Sequence, residues 1–338
     1  MIVVMKPGHQ PADVDHVVGL IRRLGLRDHV IVGTDRTVVA AIGNDRGMDT
    51  SAIENAPMVE AIVPILKPYK VASKEVKKDP SVVPIGNSGS IGGKKIGVIA
   101  GPCSVENEAQ LMKTARAVKA AGAIGLRGGA FKPRTSPYEF QGLGEEGLKL
   151  LAKARDETGL AVVTEVMSIE HMPLVADYAD VLQIGTRNMH NFNLLQAAGR
   201  TNRSVLLKRG WSATLKEFLL AAEYVINEGN QNVILCERGI RTSEDYCRNT
   251  LALAVVPAVK NESHLPIVVD PSQGTGHAYM VPAMCKAAIA GGADGLLIEV
   301  HPDPEHALTD GAQSVTTEAF ARLMNELKRV AAAVDREV

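Results

Sequence analysis

The sequence predicts an α/β protein: a (β/α)8 barrel of TIM type preceded by a small ferredoxin-like α+β domain. Two patterns lead there. From residue 95 onward, eight apolar strand runs are each followed by a segment with helical spacing, and strands that alternate with helices pair in parallel. Eight such units in roughly 250 residues are what a closed barrel needs. Each run then ends in charged or polar residues, and barrels collect their reactive groups at the C-terminal strand ends. A doubly wound open sheet is the competing architecture. It is disfavoured because no glycine-rich dinucleotide fingerprint follows the first strand.

The first domain, expected over residues 1–70, reads as β-α-β-β-α-β. Ile2 to Met5 is a strand run. Pro11 to Leu24 has apolar residues at helical spacing, with a proline near its start. His29 to Val32 and Thr37 to Ile42 are short strands, Asp49 to Ala56 a short helix, and Val59 to Leu66 a fourth strand. No cluster of catalytic residue types falls here, so binding, regulation or a structural cap is expected rather than chemistry. Residues 71–94 change character, with a lysine run and then glycines and serines, and read as a linker ending in a short hairpin.

The barrel is expected over residues 95–338. Its strand runs are Ile96–Cys103, Ile124–Gly129, Ala161–Val166, Val181–Arg187, Ser204–Arg209, Asn232–Arg238, Pro266–Ser272 and Gly295–Val300. The helical segments include Leu111–Ala120, Glu145–Ala154, Leu215–Ile226 and Thr317–Val334.

Composition narrows the function. The chain has 338 residues and a formal net charge of −1, so nothing global points to nucleic acid or to a membrane surface. Aromatic residues are only 4%, too few for base-stacking platforms. The four cysteines lack paired spacing, which fits a reducing, cytoplasmic setting. The apolar start is too short for a signal peptide, and no run is apolar and long enough to span a bilayer.

Local charge is more telling. Strand ends supply the cations Arg127, Arg187, Lys208, Arg209 and Arg238, and the loop after Gly128-Gly129 adds Lys132 and Arg134 among Pro133, Thr135, Ser136 and Pro137. Glu165, Glu237, Asp270 and Glu299 are the opposing anions. Charged groups are rarely buried unpaired, so these must face one another or a ligand. The excess of cations predicts an anionic substrate with more than one phosphate or carboxylate. A charge-assisted hydrogen bond contributes ~1.5–3 kcal/mol, so a few arginines suffice. Salt bridges around the rim are the competing use of the same residues. Cys103, Glu299 and Asp310 form a second candidate set, since a thiolate with carboxylates can hold a divalent metal.

Seven segments carry a resemblance: Gly101-Pro102-Cys103-Ser104, Leu126-Arg127-Gly128-Gly129, Lys132-Pro133-Arg134-Thr135-Ser136, Ile184-Gly185-Thr186-Arg187-Asn188, Leu207-Lys208-Arg209-Gly210, Cys236-Glu237-Arg238-Gly239 and Asp270-Pro271-Ser272. In this order the chain resembles 3-deoxy-D-arabino-heptulosonate-7-phosphate (DAHP) synthases, in the form with an N-terminal ferredoxin-like domain. The resemblance implies the condensation of phosphoenolpyruvate with erythrose 4-phosphate, the entry step to aromatic amino-acid synthesis by the shikimate pathway. By motif, Arg127, Lys132, Arg187, Lys208 and Arg238 would hold phosphoenolpyruvate. Lys132, Pro133, Arg134, Thr135 and Ser136 would hold erythrose 4-phosphate. Lys132, Glu237 and Asp270 would orient cations or move protons. A divalent metal would sit on Cys103, Glu299, Asp310 and a histidine. That histidine's position is Gln273 here, and a carbonyl oxygen shifts the expected preference toward Mn or Mg. His277 as a replacement ligand and a metal-free site are the alternatives. Thr186 stands where the family commonly has alanine, with only local packing expected to change. The N-terminal domain would sense tyrosine or phenylalanine, within a homotetramer.

Three other readings compete. A 3-deoxy-octulosonate-phosphate synthase would use the same barrel, but resembles Lys-Ala-Asn-Arg-Ser where this chain has Lys132-Pro133-Arg134-Thr135-Ser136. A Schiff-base aldolase would use Lys208. A non-catalytic ligand-sensing barrel is favoured only by Gln273. The roles of His264, His277 and His301 are left open; His301, two residues after Glu299, fits a supporting role beside the site and a purely structural one equally well.

Overall fold

The computed structural model describes residues 1–33, 36–43, 48–63, 68–134 and 136–338. The chain divides into two compact units: Met1–Pro80 with Glu262–His264, and Ser81–Asn261 with Leu265–Val338. The stretch expected as a linker is thereby split, residues 71–80 falling in the first unit and 81–94 in the second.

In the first unit, β1 (Ile2–Met5), α1 (Pro11–Arg23), β2 (Arg27–Val32), β3 (Thr37–Ile42), α2 (Ser51–Glu54) and β4 (Val59–Val63) follow the β-α-β-β-α-β order. The sheet runs β2-β3-β1-β4, with antiparallel pairing throughout. Pro11 opens α1, where its missing N–H costs nothing. The helix buries Val17, Val18 and Ile21 against Val3, Met5, Val39 and Ile53. Residues 64–66 of the expected fourth strand lie outside the described residues.

The second unit begins with a hairpin, β5 (Val83–Ile85) and β6 (Gly89–Ile91). Eight parallel strands follow: β7 (Gly97–Gly101), β8 (Gly125–Arg127), β9 (Ala161–Glu165), β10 (Val181–Ile184), β11 (Ser204–Lys208), β12 (Val233–Glu237), β13 (Ile267–Val269) and β14 (Gly295–Glu299). They close into a barrel, β14 pairing with β7 from Gly295↔Gly97 to Glu299↔Gly101. The helices between them are α3 (Glu108–Ala120), α4 (Glu145–Thr158), α5 (Met172–Tyr178), α6 (Phe192–Gly199), α7 (Leu215–Ile226), α8 (Val255–Glu262), α9 (Pro271–Thr275) and α10 (Val281–Ala290), with α11 (Thr317–Ala333) after the last strand. Local chemistry sets their ends. Thr214 and Glu217 form a capping box on α7, Thr316 caps α11, and α4 stops at Gly159 in the left-handed region.

Val83, Ile85 and Ile91 of the hairpin share one buried cluster with Ile99, Val163, Leu206, Val268 and Leu297 of the barrel interior. Ser204 Oγ, at the first residue of β11, donates to Pro84 O at 2.6 Å. The hairpin therefore plugs the N-terminal end of the barrel. The opposite end is left for the site.

Candidate active site

Successive residues of a strand face opposite sides, and this period of two builds the site. Core residues Val163, Val181, Leu206, Cys236, Val268 and Leu297 fill the barrel. Two positions further along the same strands stand Glu165, Gln183, Lys208, Arg238, Asp270 and Glu299. Arg127 ends β8 and Cys103 lies two residues beyond β7. Their side chains meet at the C-terminal mouth.

The mouth holds a cavity of about 360 Å³. Seven cations line it: Arg127, Lys132, Arg134, Arg187, Lys208, Arg238 and Arg248. The carboxylates among its lining residues are Glu139, Glu165 and Asp310. Pro133 and Arg134 sit on the rim, with Arg134 Nε 2.9 Å from Glu139 Oε2. Ser136 lies on the same loop and accepts a hydrogen bond from Tyr138 N at 3.3 Å. Thr135 is outside the described residues.

Beneath the cavity lies a buried ionic layer. Lys208 Nζ donates to Asp270 Oδ2 at 2.7 Å, and Arg127 Nη1 stands 3.8 Å from the same oxygen. Asp270 is fully buried. Burial alone would raise its pKa, but Lys208 and Arg127 outweigh it and hold the carboxyl below its usual range. Arg127 Nη2 forms an ion pair with Glu299 Oε1 at 3.1 Å. Even so, Arg127 Nη1 and Arg238 Nη1 are buried without a hydrogen-bond partner among the described residues. A buried donor left unpaired costs ~1–3 kcal/mol, and both nitrogens belong to side chains on the cavity wall. Burial, opposed by Asp270, lowers the Arg238 pKa from its ordinary value.

Cys103 Sγ and one carboxylate oxygen each of Glu299 and Asp310 lie within 4.8 Å of one another. Cys103 Sγ is 3.3 Å from Asp310 Oδ2, and Lys132 Nζ donates to Cys103 Sγ at 3.1 Å and Cys103 O at 3.0 Å. Burial first, and then Glu299, push the Cys103 thiol up to about 11, against the pull of Lys132. One sulfur and two carboxylates converging in a buried pocket fit a divalent cation.

Gln273 joins this group with its amide reversed from the expected orientation. Its Oε1 accepts from Arg238 Nη2 at 3.1 Å. Its Nε2 donates to Glu299 Oε1 at 2.8 Å and Asp310 Oδ2 at 3.1 Å. The reason is polarity: carboxylates need a donor and a guanidinium needs an acceptor. His277, the alternative ligand, packs on Tyr279 with ring centroids 5.5 Å apart and is not one of the converging groups.

Glu237 and Arg209 do not reach the mouth. They fall on the outward positions of β12 and just past β11, where Arg209 Nη1 donates to Glu237 Oε2 at 2.9 Å and Gly239 N to Glu237 Oε1 at 2.7 Å. Glu237 is thus not among the residues that line the cavity. Gly129 makes room for a side chain. A Cβ there would stand 2.5 Å from Lys132 Cδ. His301 lies against Glu106, with Nε2 3.4 Å from Oε1, and its Nδ1 accepts from Asp303 N at 3.0 Å. His264 Nε2 is 2.8 Å from Val71 O, and burial lowers its pKa to about 4.

The sequence reading missed Gln183, Trp211, Arg248 and Gln313. Gln183 was recoverable, being two residues after core Val181. Arg248 donates to Asp310 Oδ1 at 3.3 Å and Gln313 Oε1 at 2.9 Å, and Gln313 Nε2 to Glu299 Oε2 at 2.8 Å. Both lie on loops without periodicity.

A closed (β/α)8 barrel whose mouth pairs a cation-rich cavity with a thiol–carboxylate cluster defines an enzyme acting on phosphorylated small molecules. The chain belongs to the DAHP synthetase I family, which residues 76–334 match, while residues 1–67 match the DAHP synthase ferredoxin-like domain. It is 49% identical to the phospho-2-dehydro-3-deoxyheptonate aldolase of Thermotoga maritima over 338 residues, covering all of both chains. The crystal structure of that DAHP synthase superposes with a TM-score of 0.80, over 100% of this chain and 98% of the other. A 2-dehydro-3-deoxyphosphooctonate aldolase from Koribacter versatilis is 35% identical across 72% of this chain and 94% of its own. No helix among the described residues is long and apolar enough to cross a membrane.

Proposed function

We propose that six of the seven cations of the mouth divide between the two substrates of DAHP synthesis, the reaction of the family. The carrying observation is the pair of buried guanidinium nitrogens, Arg127 Nη1 and Arg238 Nη1, without hydrogen-bond partners among the described residues and belonging to side chains of the cavity wall. Arg127, Lys132, Arg187, Lys208 and Arg238 take the phosphate and carboxylate of phosphoenolpyruvate. Arg134, with Ser136 and Thr135 on its loop, takes the phosphate of erythrose 4-phosphate. In the reaction, C3 of phosphoenolpyruvate bonds to the aldehyde carbon, water adds to C2, and phosphate leaves with C–O cleavage. The water oxygen becomes the C2 carbonyl and gives up both its protons, one balancing the proton gained by the aldehyde oxygen and the other leaving with phosphate. Lys132, whose ammonium reaches Cys103 of the thiol–carboxylate cluster, is the proton donor to that oxygen. Asp270 acts by positioning, neutralising Lys208 and Arg127 so that both can sit beside the substrate.

Cys103, Glu299 and Asp310 are the residues that would hold a divalent metal, which when bound supplies a Lewis acid for the aldehyde oxygen. Mn or Mg suits the two carboxylates, and Gln273 joins them as a ligand only if its amide turns over. In the geometry described, it links the carboxylates to Arg238. The ferredoxin-like domain is proposed to bind tyrosine or phenylalanine and to inhibit the barrel, in a homotetramer. The expected setting is the cytoplasm.

The octulosonate alternative is favoured by the likeness to the Koribacter versatilis aldolase. Phosphate release from phosphoenolpyruvate should depend on erythrose 4-phosphate and be far slower with arabinose 5-phosphate. Equal or faster release with arabinose 5-phosphate would overturn the assignment. Full activity in strong chelator, with no metal by elemental analysis, would remove the metal from the account.

A further inference from the structure

Trp211 is the only tryptophan in the chain. It follows β11 by three residues and lines the cavity. Three guanidinium groups face its ring: Arg241 Cζ at 5.0 Å from the centroid, Arg187 at 5.2 Å and Arg238 at 5.9 Å. Arg241 N also donates to Trp211 O at 2.8 Å, fixing the loop. Arg187 and Arg238 both line the cavity, and among the described residues neither forms an ion pair with a carboxylate. Arg209, by contrast, is committed to Glu237 and Arg134 to Glu139.

The difference has a chemical consequence. A carboxylate partner occupies guanidinium N–H groups and must be displaced when an anion arrives. An aromatic face attracts the cation while leaving those N–H groups free. It also offsets the repulsion of two like charges held near one ring. We infer that Trp211 is a positioning residue for the anion grip: its ring orders Arg187 and Arg238, leaving Arg238 Nη1 available to a phosphate while Arg238 Nη2 is held by Gln273 Oε1. This rests on the phosphate reading of the cavity given above.

The test uses the full-length protein as wild type, Trp211→Ala and Trp211→Phe. Calorimetric titration with inorganic phosphate, and steady-state kinetics, are the readouts. A desolvated cation–π pair corresponds to roughly a tenfold effect. Trp211→Ala should weaken phosphate binding and raise KM for phosphoenolpyruvate by about that factor, with a much smaller fall in kcat. Trp211→Phe should recover most of the loss. Wild-type tryptophan emission, which comes from Trp211 alone, should change as phosphate saturates.

Equal phosphate affinity in wild type and a folded Trp211→Ala would overturn the inference. So would a Trp211→Phe as weak as Trp211→Ala, because shape rather than the π face would then matter. If Trp211→Ala does not fold, unchanged wild-type emission at calorimetrically proven saturation overturns it instead. A wild type that binds no phosphate at all would fail the cavity reading itself, and the inference with it.

Discussion

Asp270 follows β13 at an inward position, with one oxygen on Lys208 Nζ and the other accepting from Gln273 N. Its folded pKa is held below the ordinary carboxylate value, because Lys208 and Arg127 outweigh the penalty of burial. The unfolded carboxyl binds a proton first as pH falls. The stabilisation is therefore fully present above about pH 4 and lost as pH drops through the folded value. Asp270→Asn leaves Lys208 buried without a counter-charge and should cost about 3–5 kcal/mol at pH 7. Urea unfolding should show the gap between variant and wild type narrowing in acid. Much of this layer was legible at residue scale. Arg127, Lys208, Arg238 and Glu299 each close an apolar run, and burial then obliges them to meet. The same period of two, applied strictly, would have turned Glu237 and Arg209 outward. The direction of the Gln273 amide was not legible, since it depends on Arg238 from one strand and Glu299 from another.

At the scale of elements, the join between β7 and β8 places Cys103 beside Arg127. Gly101 has φ +154°, and a Cβ there would stand 2.2 Å from Arg127 O. Gly101→Ala must push the two strands apart. It should cost roughly 1–3 kcal/mol of stability and about 100-fold in kcat/KM, because a displacement near 1 Å misaligns the reacting groups. Gly122, at φ +103° with only Met324 Cε near at 3.6 Å, is the control. Gly122→Ala should lower the melting temperature and leave the kinetics alone. The strands themselves were readable: β3 and α7 match their expected bounds, and the eight barrel runs differ only by frayed ends. The short hairpin expected at the end of the linker is β5–β6, and Val83, Ile85 and Ile91 alternate as a strand pair should. What polarity did not show is that this hairpin plugs the barrel.

For the whole molecule, two units imply two separable roles. The second unit closes its own barrel and carries every residue assigned to chemistry. A truncated DAHP synthase from Thermotoga maritima, 47% identical, covers 80% of this chain with a TM-score of 0.75. Residues 81–338 alone should keep turnover within a few-fold and lose inhibition by tyrosine or phenylalanine. A truncated form that remained as sensitive as the full chain would move the sensor into the barrel. The order of the two units was readable from the β-α-β-β-α-β pattern and the eightfold alternation, whereas assembly leaves no such pattern in one chain.

The central claim is that Arg127 Nη1 and Arg238 Nη1, buried without hydrogen-bond partners among the described residues, await the phosphate of phosphoenolpyruvate. A crystal structure of the full chain soaked with phosphoenolpyruvate measures this directly. The account predicts phosphate oxygens within hydrogen-bond distance of Arg238 Nη1 and Arg187, with Trp211 still against both guanidinium groups. A ligand bound elsewhere, with Arg238 Nη1 still unpartnered, would contradict it.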